Sequence, residues 1–328
     1  MATIKDVARL AGVGTGTVSR ALSGKGSVSA DTRRKIEAAI SSLSYRPSSI
    51  AQSLSNRKSG IIGVLLPHFG AGFYEKVLSV IEAELRAYGK YFVVATSASA
   101  DDDSFDFLLS RDCDGILLFV SDARDRQIRA LERKFETIAV VNRIVPGLEE
   151  KCFAADHVAG GRIAARALIE SGRTRFAMIS GPALRDDSLL RRKGFTEELA
   201  ASGLSLADEL VVEGDFRNEG GWAGCQALLA RGLPFDALFC ANDAMATGAM
   251  GCLAEAGLSV PGDVAVIGYD NLPYTRYLVP PLSTVDGEIS ETVRNAARHL
   301  LQHCYGVETE NTHVLTPHFI ARASHGAP

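Results

Sequence analysis

Several short apolar runs in this 328-residue chain are followed by residues able to make directed polar contacts: Pro67-His68-Phe69, Asn142-Arg143, Asp156-His157, Asn242-Asp243 and Tyr269-Asp270-Asn271, with Phe73-Tyr74-Glu75 opening a helical stretch. Carboxylates, amides and an arginine donate and accept in fixed directions, while flat rings cover apolar faces. That combination suits a polyhydroxylated ligand such as a sugar. It does not suggest bond-breaking chemistry. Ser180-Gly181-Pro182 lacks the pattern of a nucleophile elbow, no phosphate loop is visible, and no spacing is read as a metal site. Asp101-Asp102-Asp103 reads as a solvated turn, because three successive carboxylates point in different directions. His68 reads as a solvated or structural histidine rather than a catalytic one, and for Asp243 helix capping alone is an alternative to a ligand role.

The elements that must hold these residues alternate. Runs at 61–66, 92–96, 116–120, 138–141, 176–179, 210–213, 237–240 and 264–268 read as strands. Helical stretches at 73–88, 126–133, 160–171, 189–202, 220–231 and 243–256 lie between them. Continuous apolar strands alternating with helices predict parallel sheets covered on both faces. Two such series after residue 60 predict two α/β lobes, with a cleft where the carboxyl ends of their strands face each other.

The first sixty residues differ from the rest. They carry ten Lys/Arg against three Asp/Glu, a net +7, whereas the other 268 carry 25 against 36, a net −11. A basic head on an acidic body predicts a head that meets a polyanion. Thr3 and Asp6 have capping-box spacing, and Ile4, Val7, Ala8 and Ala11 form one apolar stripe ended by Gly12. A second helix buries Val18, Ala21 and Leu22 and turns Thr15, Gly16, Ser19 and Arg20 outward. A third starts at Ser29, buries Ile36, Ala39, Ile40 and Leu43, and presents Arg33, Arg34 and Lys35 to water or phosphate. With a four-residue turn between the first two helices, the pattern predicts a helix-turn-helix unit whose second helix enters the DNA major groove. The polar segment 45–60, with Pro47 at its head and Ile50, Ala51 and Leu54 on one side, reads either as a linker or as a short helix that folds only on DNA.

Thr3-Ile4-Lys5-Asp6-Val7-Ala8, Ala11-Gly12-Val13, Thr17-Val18-Ser19-Arg20, Val28-Ser29, Thr32-Arg33, Tyr45-Arg46-Pro47 and Ala51-Gln52-Ser53-Leu54 resemble the DNA-binding region and hinge of the LacI/GalR family of bacterial transcription regulators. The resemblance implies that Thr15, Gly16 and Arg20 read bases, with Thr3, Thr17, Ser19, Ser29, Arg33, Tyr45 and Ala51 completing the DNA-facing set. It also implies that Leu54 is the apolar lever wedged into the minor groove at the operator centre. Gly14 stands where the family has Ser or Thr, so the second helix lacks a side-chain cap, and Gly16 leaves direct reading to Thr15 and Arg20.

Ala241-Asn242-Asp243, Met245-Ala246, Gly248-Ala249-Met250, Val260-Pro261 and Val266-Ile267-Gly268-Tyr269-Asp270 extend the resemblance to the family's effector-binding core, a relative of periplasmic sugar-binding proteins. Asn142-Arg143-Ile144-Val145-Pro146-Gly147 is most similar to the galactose-regulator and β-glucoside-regulator branch. What this implies is a small all-α helix-turn-helix domain (1–45), a hinge (46–59) and a two-lobed periplasmic-binding-protein-like core of two doubly wound parallel sheets. The first lobe would take 60–158 and 286–313, the second 159–285 and 314–328. Arg191, Asn242 and Asp270 are then the expected ligands of sugar hydroxyls, Phe73, Tyr74 and Phe216 the walls, and Asp156 a further candidate.

The expected partners are double-stranded operator DNA, a mono- or disaccharide and a second copy of the chain, with no cofactor and no enzyme activity. Phe319-Ile320-Ala321-Arg322 is followed by no apolar heptad tail, so a dimer is expected. The six scattered cysteines read as reduced core thiols of a cytoplasmic protein. The alternative, an exported sugar-binding module without specific DNA binding, is disfavoured because no signal peptide precedes the basic head and no apolar run approaches membrane-spanning length.

Overall fold

The computed structural model describes residues 2–23, 27–45, 58–68, 72–96, 108, 112–119, 125–135 and 137–326. The chain divides into two compact units, one ending at Gly60 and the other beginning at Ile61. The first unit contains α1 (Ile4–Ala11), α2 (Thr15–Ser23) and α3 (Ala30–Ser42). Thr3 and Asp6 make the expected reciprocal capping box, and Gly12 ends α1 at φ +67°, a left-handed backbone that favours glycine. Three residues, not four, separate α1 from α2. The Ser29 hydroxyl accepts from the Thr32 amide at 3.2 Å and caps α3. Val7, Ala8, Ala11, Val18, Ile36 and Ala39 form the small core, with Ile40, Leu43 and Tyr45 packed against it.

The second unit is built on twelve strands among the described residues. The first sheet comprises β1 (Ile61–Leu66), β2 (Tyr91–Thr96), β3 (Gly115–Leu118), β4 (Ile138–Val141), β5 (Cys152–Ala155) and β11 (Val314–Leu315). The second comprises β6 (Phe176–Ser180), β7 (Val211–Glu213), β8 (Ala237–Cys240), β9 (Ala265–Tyr269), β10 (Ser283–Asp286) and β12 (His318–Ile320). Their spatial orders, β2-β1-β3-β4-β5-β11 and β7-β6-β8-β9-β10-β12, repeat one doubly wound pattern. All pairings are parallel except that of β10 with β12. β3, β4, β5, β6, β8 and β9 are buried at every position, as strands covered on both faces must be.

Helices α4 (Phe73–Ala87), α5 (Asp125–Glu132) and α10 (Ile289–Tyr305) belong to the first lobe; α6 (His157–Glu170), α7 (Asp186–Ala201), α8 (Asn218–Ala230) and α9 (Asp243–Glu255) belong to the second. α6 and α7 cross at backbone contact. A Cβ on Gly161 would overlap the Arg191 carbonyl, and one on Gly194 would overlap that of Val158. This close crossing sets the depth at which α7 delivers Arg191.

Several expected boundaries move. β11 pairs with β5, so residues 314–315 belong to the first lobe rather than the second. Asp286 ends β10 in the second sheet, and α6 begins at His157, so those crossings fall after Asp286 and before His157. β5, β10, β11 and β12 are too short or too polar to stand out by periodicity. His299 and His303 do have a helical metal-chelating spacing that the sequence reading passed over. Their rings lie 4.2 Å apart, His303 Nδ1 is bonded to the His299 carbonyl, and no group of three or more ligands among the described residues could hold a metal. Residues 46–57, including Ala51 and Leu54 of the expected hinge, and Asp101-Asp102-Asp103 lie outside the described residues.

Candidate functional site

On the basic head, Thr15, Gly16 and Arg20 are exposed along α2, and Thr17 and Ser19 are half-buried. The Gly14 carbonyl accepts from the Thr17 and Val18 amides, so the backbone alone starts this helix. Arg20 Nε donates to the Gly16 carbonyl at 3.3 Å, and exposed Arg33 reaches the Ala21 carbonyl at 3.4 Å. Thr3 and Ser29 use their hydroxyls as caps, and the Tyr45 ring is packed against the core. The exposed side of α2 therefore offers a short polar threonine, an open glycine and a long cation.

In the second unit a cavity of about 370 Å³ opens between the lobes. It lies at the carboxyl ends of strands flanking both topological switch points, where β1 neighbours β3 and β6 neighbours β8. The first lobe contributes His68, Phe73 and Tyr74. The second contributes Arg185, Asp187 and Arg191 from the β6–α7 segment, Phe216 to Glu219 from the start of α8, Asn242 and Ala244 after β8, and Asp270, Leu272 and Tyr274 after β9. Phe73, Tyr74, Arg191, Phe216, Asn242 and Asp270, the residues that the family resemblance implied, all line this one cavity.

Asp156 is not brought there. It is exposed, its Oδ1 accepts from the Ala159 amide at 2.9 Å to cap α6, and β5 lies two strands away from the switch point. Asp243 is no cap either: Asn242 caps α9 through the Met245 amide at 2.9 Å. Asp243 is fully buried, accepting from the Leu272 amide at 2.7 Å and the Thr284 hydroxyl at 2.6 Å, and burial first, then the neighbouring Asp270, pushes its carboxyl far above the usual range.

The backbone at the site is strained. Asn142, Phe216, Asp270 and Asn271 have φ of +66°, +64°, +112° and +49°. Phe216 is held by its ring lying over Gly181, where a Cβ would overlap it, and by its carbonyl accepting from Asn242 Nδ2 at 3.0 Å. Lys76 of the first lobe donates to the Asp270 carbonyl at 3.1 Å across the cleft.

Arg191 is the central cation and is 3% exposed. Its guanidinium carbon lies 3.7 Å from the Tyr269 ring centroid, Nη2 is 3.7 Å from Asp270 Oδ1, and Nη1 donates to the Ala241 carbonyl. Burial pushes the Asp270 carboxyl up to about 7 despite the pull of Arg191 and Lys76. Burial would also raise Asp187, but Arg185 and Arg191 outweigh it and hold that carboxyl well below the ordinary range. Arg185 meets Asp187 through two contacts, at 3.3 and 3.0 Å. Burial and the Arg191 charge lower the His157 imidazole to about 3, so it is neutral.

Arg185, Asp187, Leu272 and Tyr274 were missed in the sequence, and His157, noted there only as a strand-end residue, lies behind Arg191. A signal for Arg185 and Asp187 existed: they follow β6 as Asn242 follows β8. His157 gave none beyond its place after a strand.

Residues 3–48 match the lacI family of bacterial regulatory proteins, and residues 165–325 match the periplasmic binding protein-like domain. The chain is 31% identical to the HTH-type transcriptional regulator GalS of Salmonella typhimurium, over 99% of this chain and 96% of that one. It is 34% identical to the ribose operon repressor of Escherichia coli K12, over 87% and 88%. The solved lac repressor dimer, bound to operator and the anti-inducer ONPF, superposes with a TM-score of 0.88 at 26% identity, over 99% of each chain. Among the described residues, no helix is long and apolar enough to cross a membrane.

Proposed function

This chain belongs to the lacI family of bacterial regulatory proteins, and from that we propose that it represses sugar-utilisation genes by binding operator DNA as a dimer, under the control of a small sugar held between its core lobes. It works in the cytoplasm, where its operator is. Two copies place two α2 helices in successive major grooves, Thr15 and Arg20 reading base edges while Arg33 and its basic neighbours meet phosphate. The hinge around Ala51 and Leu54 inserts at the operator centre. Sugar binding changes the fit of the paired hinges, a coupling of about 1 to 3 kcal/mol in systems of this kind.

The observation that carries the effector reading is the convergence of Arg191, Asn242 and Asp270 on one cavity walled by Phe73, Tyr74 and Phe216. Its volume of about 370 Å³ sits within the usual range for small-molecule sites, about 300–1,000 Å³. Its charges are balanced internally, Arg185 against Asp187 and Arg191 against Asp270, with Arg217 and Glu219 both at the lining. The effector is therefore a neutral sugar, because a phosphate would have to displace an existing carboxylate partner.

The test is operator binding at fixed salt with galactose, ribose, cellobiose and sucrose, and with galactose 6-phosphate and ribose 5-phosphate. A neutral sugar is expected to shift operator affinity, and its phosphate to act far more weakly. A response to the phosphate alone would overturn the neutral-ligand reading; sugar binding without any operator would overturn the repressor reading.

A further inference from the structure

A chain of hydrogen bonds, part-buried at Asn142 and buried at His157, crosses between the lobes beside Arg191. Asn142, which follows β4 in the first lobe, sits between two second-lobe side chains. Its Oδ1 faces His157 Nε2 at 2.9 Å, and its Nδ2 donates to Asp187 Oδ2 at 2.9 Å. On the far side of His157, Nδ1 lies 3.4 Å from Arg191 Nε and 3.4 Å from the Tyr269 hydroxyl. His157, Asp187 and Arg191 are each 5% exposed or less.

The direction of every bond in this chain is dictated. A guanidinium only donates, so His157 Nδ1 accepts and the ring proton resides on Nε2. That proton requires the Asn142 oxygen opposite it, which turns the Asn142 amide hydrogens toward the Asp187 carboxylate. Reversing the amide would set oxygen against carboxylate. Asn142 also holds φ +66°, which asparagine tolerates better than most residues. The side-chain chemistry and the backbone thus select the same residue.

We propose that His157 is a positioning residue that transmits the state of Arg191 to Asn142, and so couples the occupied sugar site to the contact between the lobes. A sugar oxygen that draws the guanidinium toward the cavity removes one of the two donors at His157 Nδ1 and leaves only the Tyr269 hydroxyl there. The imidazole is then held less firmly on that side, which loosens its Nε2–H bond to Asn142 and with it the tie between the first lobe and α6. This rests on Arg191 being a sugar ligand, and the experiment separates the two ideas.

Operator affinity of the full-length protein is measured with and without the neutral sugar from the panel above that binds the wild type, and sugar affinity is measured separately by calorimetry. The variants are His157→Leu, which neither donates nor accepts, His157→Gln, which does both, and Asn142→Asp, which keeps the left-handed backbone but sets a carboxylate against Asp187. If the wild-type response lies in the usual allosteric range of about 5- to 150-fold, it is expected to drop to about twofold or less in His157→Leu and Asn142→Asp and to be largely kept in His157→Gln. Should His157→Leu fail to fold, the comparison of His157→Gln with Asn142→Asp carries the test. Equal responses in wild type and the disrupting variants would overturn the relay while leaving the effector reading intact. A wild type that binds none of the sugars sinks both.

Discussion

The Arg191 guanidinium lies over the Tyr269 ring, 3.7 Å from its centroid, with both side chains buried. The ring supports the cation without accepting hydrogen bonds in its plane, which leaves the Arg191 N–H groups for His157, the Ala241 carbonyl and the cavity. Under the proposed effector reading, sugar recognition would therefore depend on a planar, forked donor rather than on positive charge alone.

Arg191→Lys keeps the charge and loses the fork and the stacking. Hydrogen bonds to charged groups contribute about 1.5–3 kcal/mol each, so sugar affinity should fall by about tenfold or more. Calorimetry on the folded variant measures this, and an affinity within about twofold of wild type would show that the geometry is irrelevant.

Asp270 titrates near neutrality because burial raises its carboxyl to about 7. An ionised carboxylate accepts sugar hydroxyls more strongly than a protonated one. Sugar affinity should accordingly weaken as pH falls from 8 to 6, and Asp270→Asn should flatten that profile. Folding stability responds in the opposite sense, since a raised carboxyl stabilises the fold most below its ordinary range and loses that contribution as pH rises through 7. Melting curves of wild type and Asp270→Asn should show the wild type gaining relative stability toward acid.

His157 has a lowered folded value, about 3 against an ordinary 6.5. The unfolded chain takes up its proton first, so the contribution of neutral His157 is present above pH 6.5 and is lost as pH falls toward 3. Each tenfold difference in proton affinity is about 1.4 kcal/mol, which makes the loss on the order of 4 kcal/mol over that window. Denaturant melts at pH 7 and 4 should show His157→Gln losing less stability than wild type. Equal losses would mean that the buried imidazole does not govern acid sensitivity.

On the head, Arg20 and Arg33 should separate by kind of effect. Arg20→Ala removes the cation proposed to read bases and is expected to cost about 1–3 kcal/mol on the specific operator, with little change on random DNA. Arg33→Ala should weaken both and reduce the slope of log affinity against log salt by about one. Salt titrations on both DNAs distinguish these outcomes.

The sequence by itself determined the local elements and the class of chemistry. Thr3, Asp6 and Gly12 specify α1 because caps and left-handed turns act within a few residues, and the buried strands announce themselves through continuous apolar runs. Asn242 and Asp270 were legible as strand-end residues in a doubly wound sheet. What only the tertiary structure decided was which strand ends meet. Arg191 was an expected ligand and Asp156 a further candidate, yet β5 is remote from the switch point while the glycine crossing of α6 and α7 sets Arg191 into the cavity. The pairing of Asn142 with His157 and Asp187, and the return of β11 to the first sheet, likewise join residues 15, 45 and about 160 positions apart. Periodicity and capping are short-ranged, whereas a hydrogen bond across a cleft depends on how whole lobes pack.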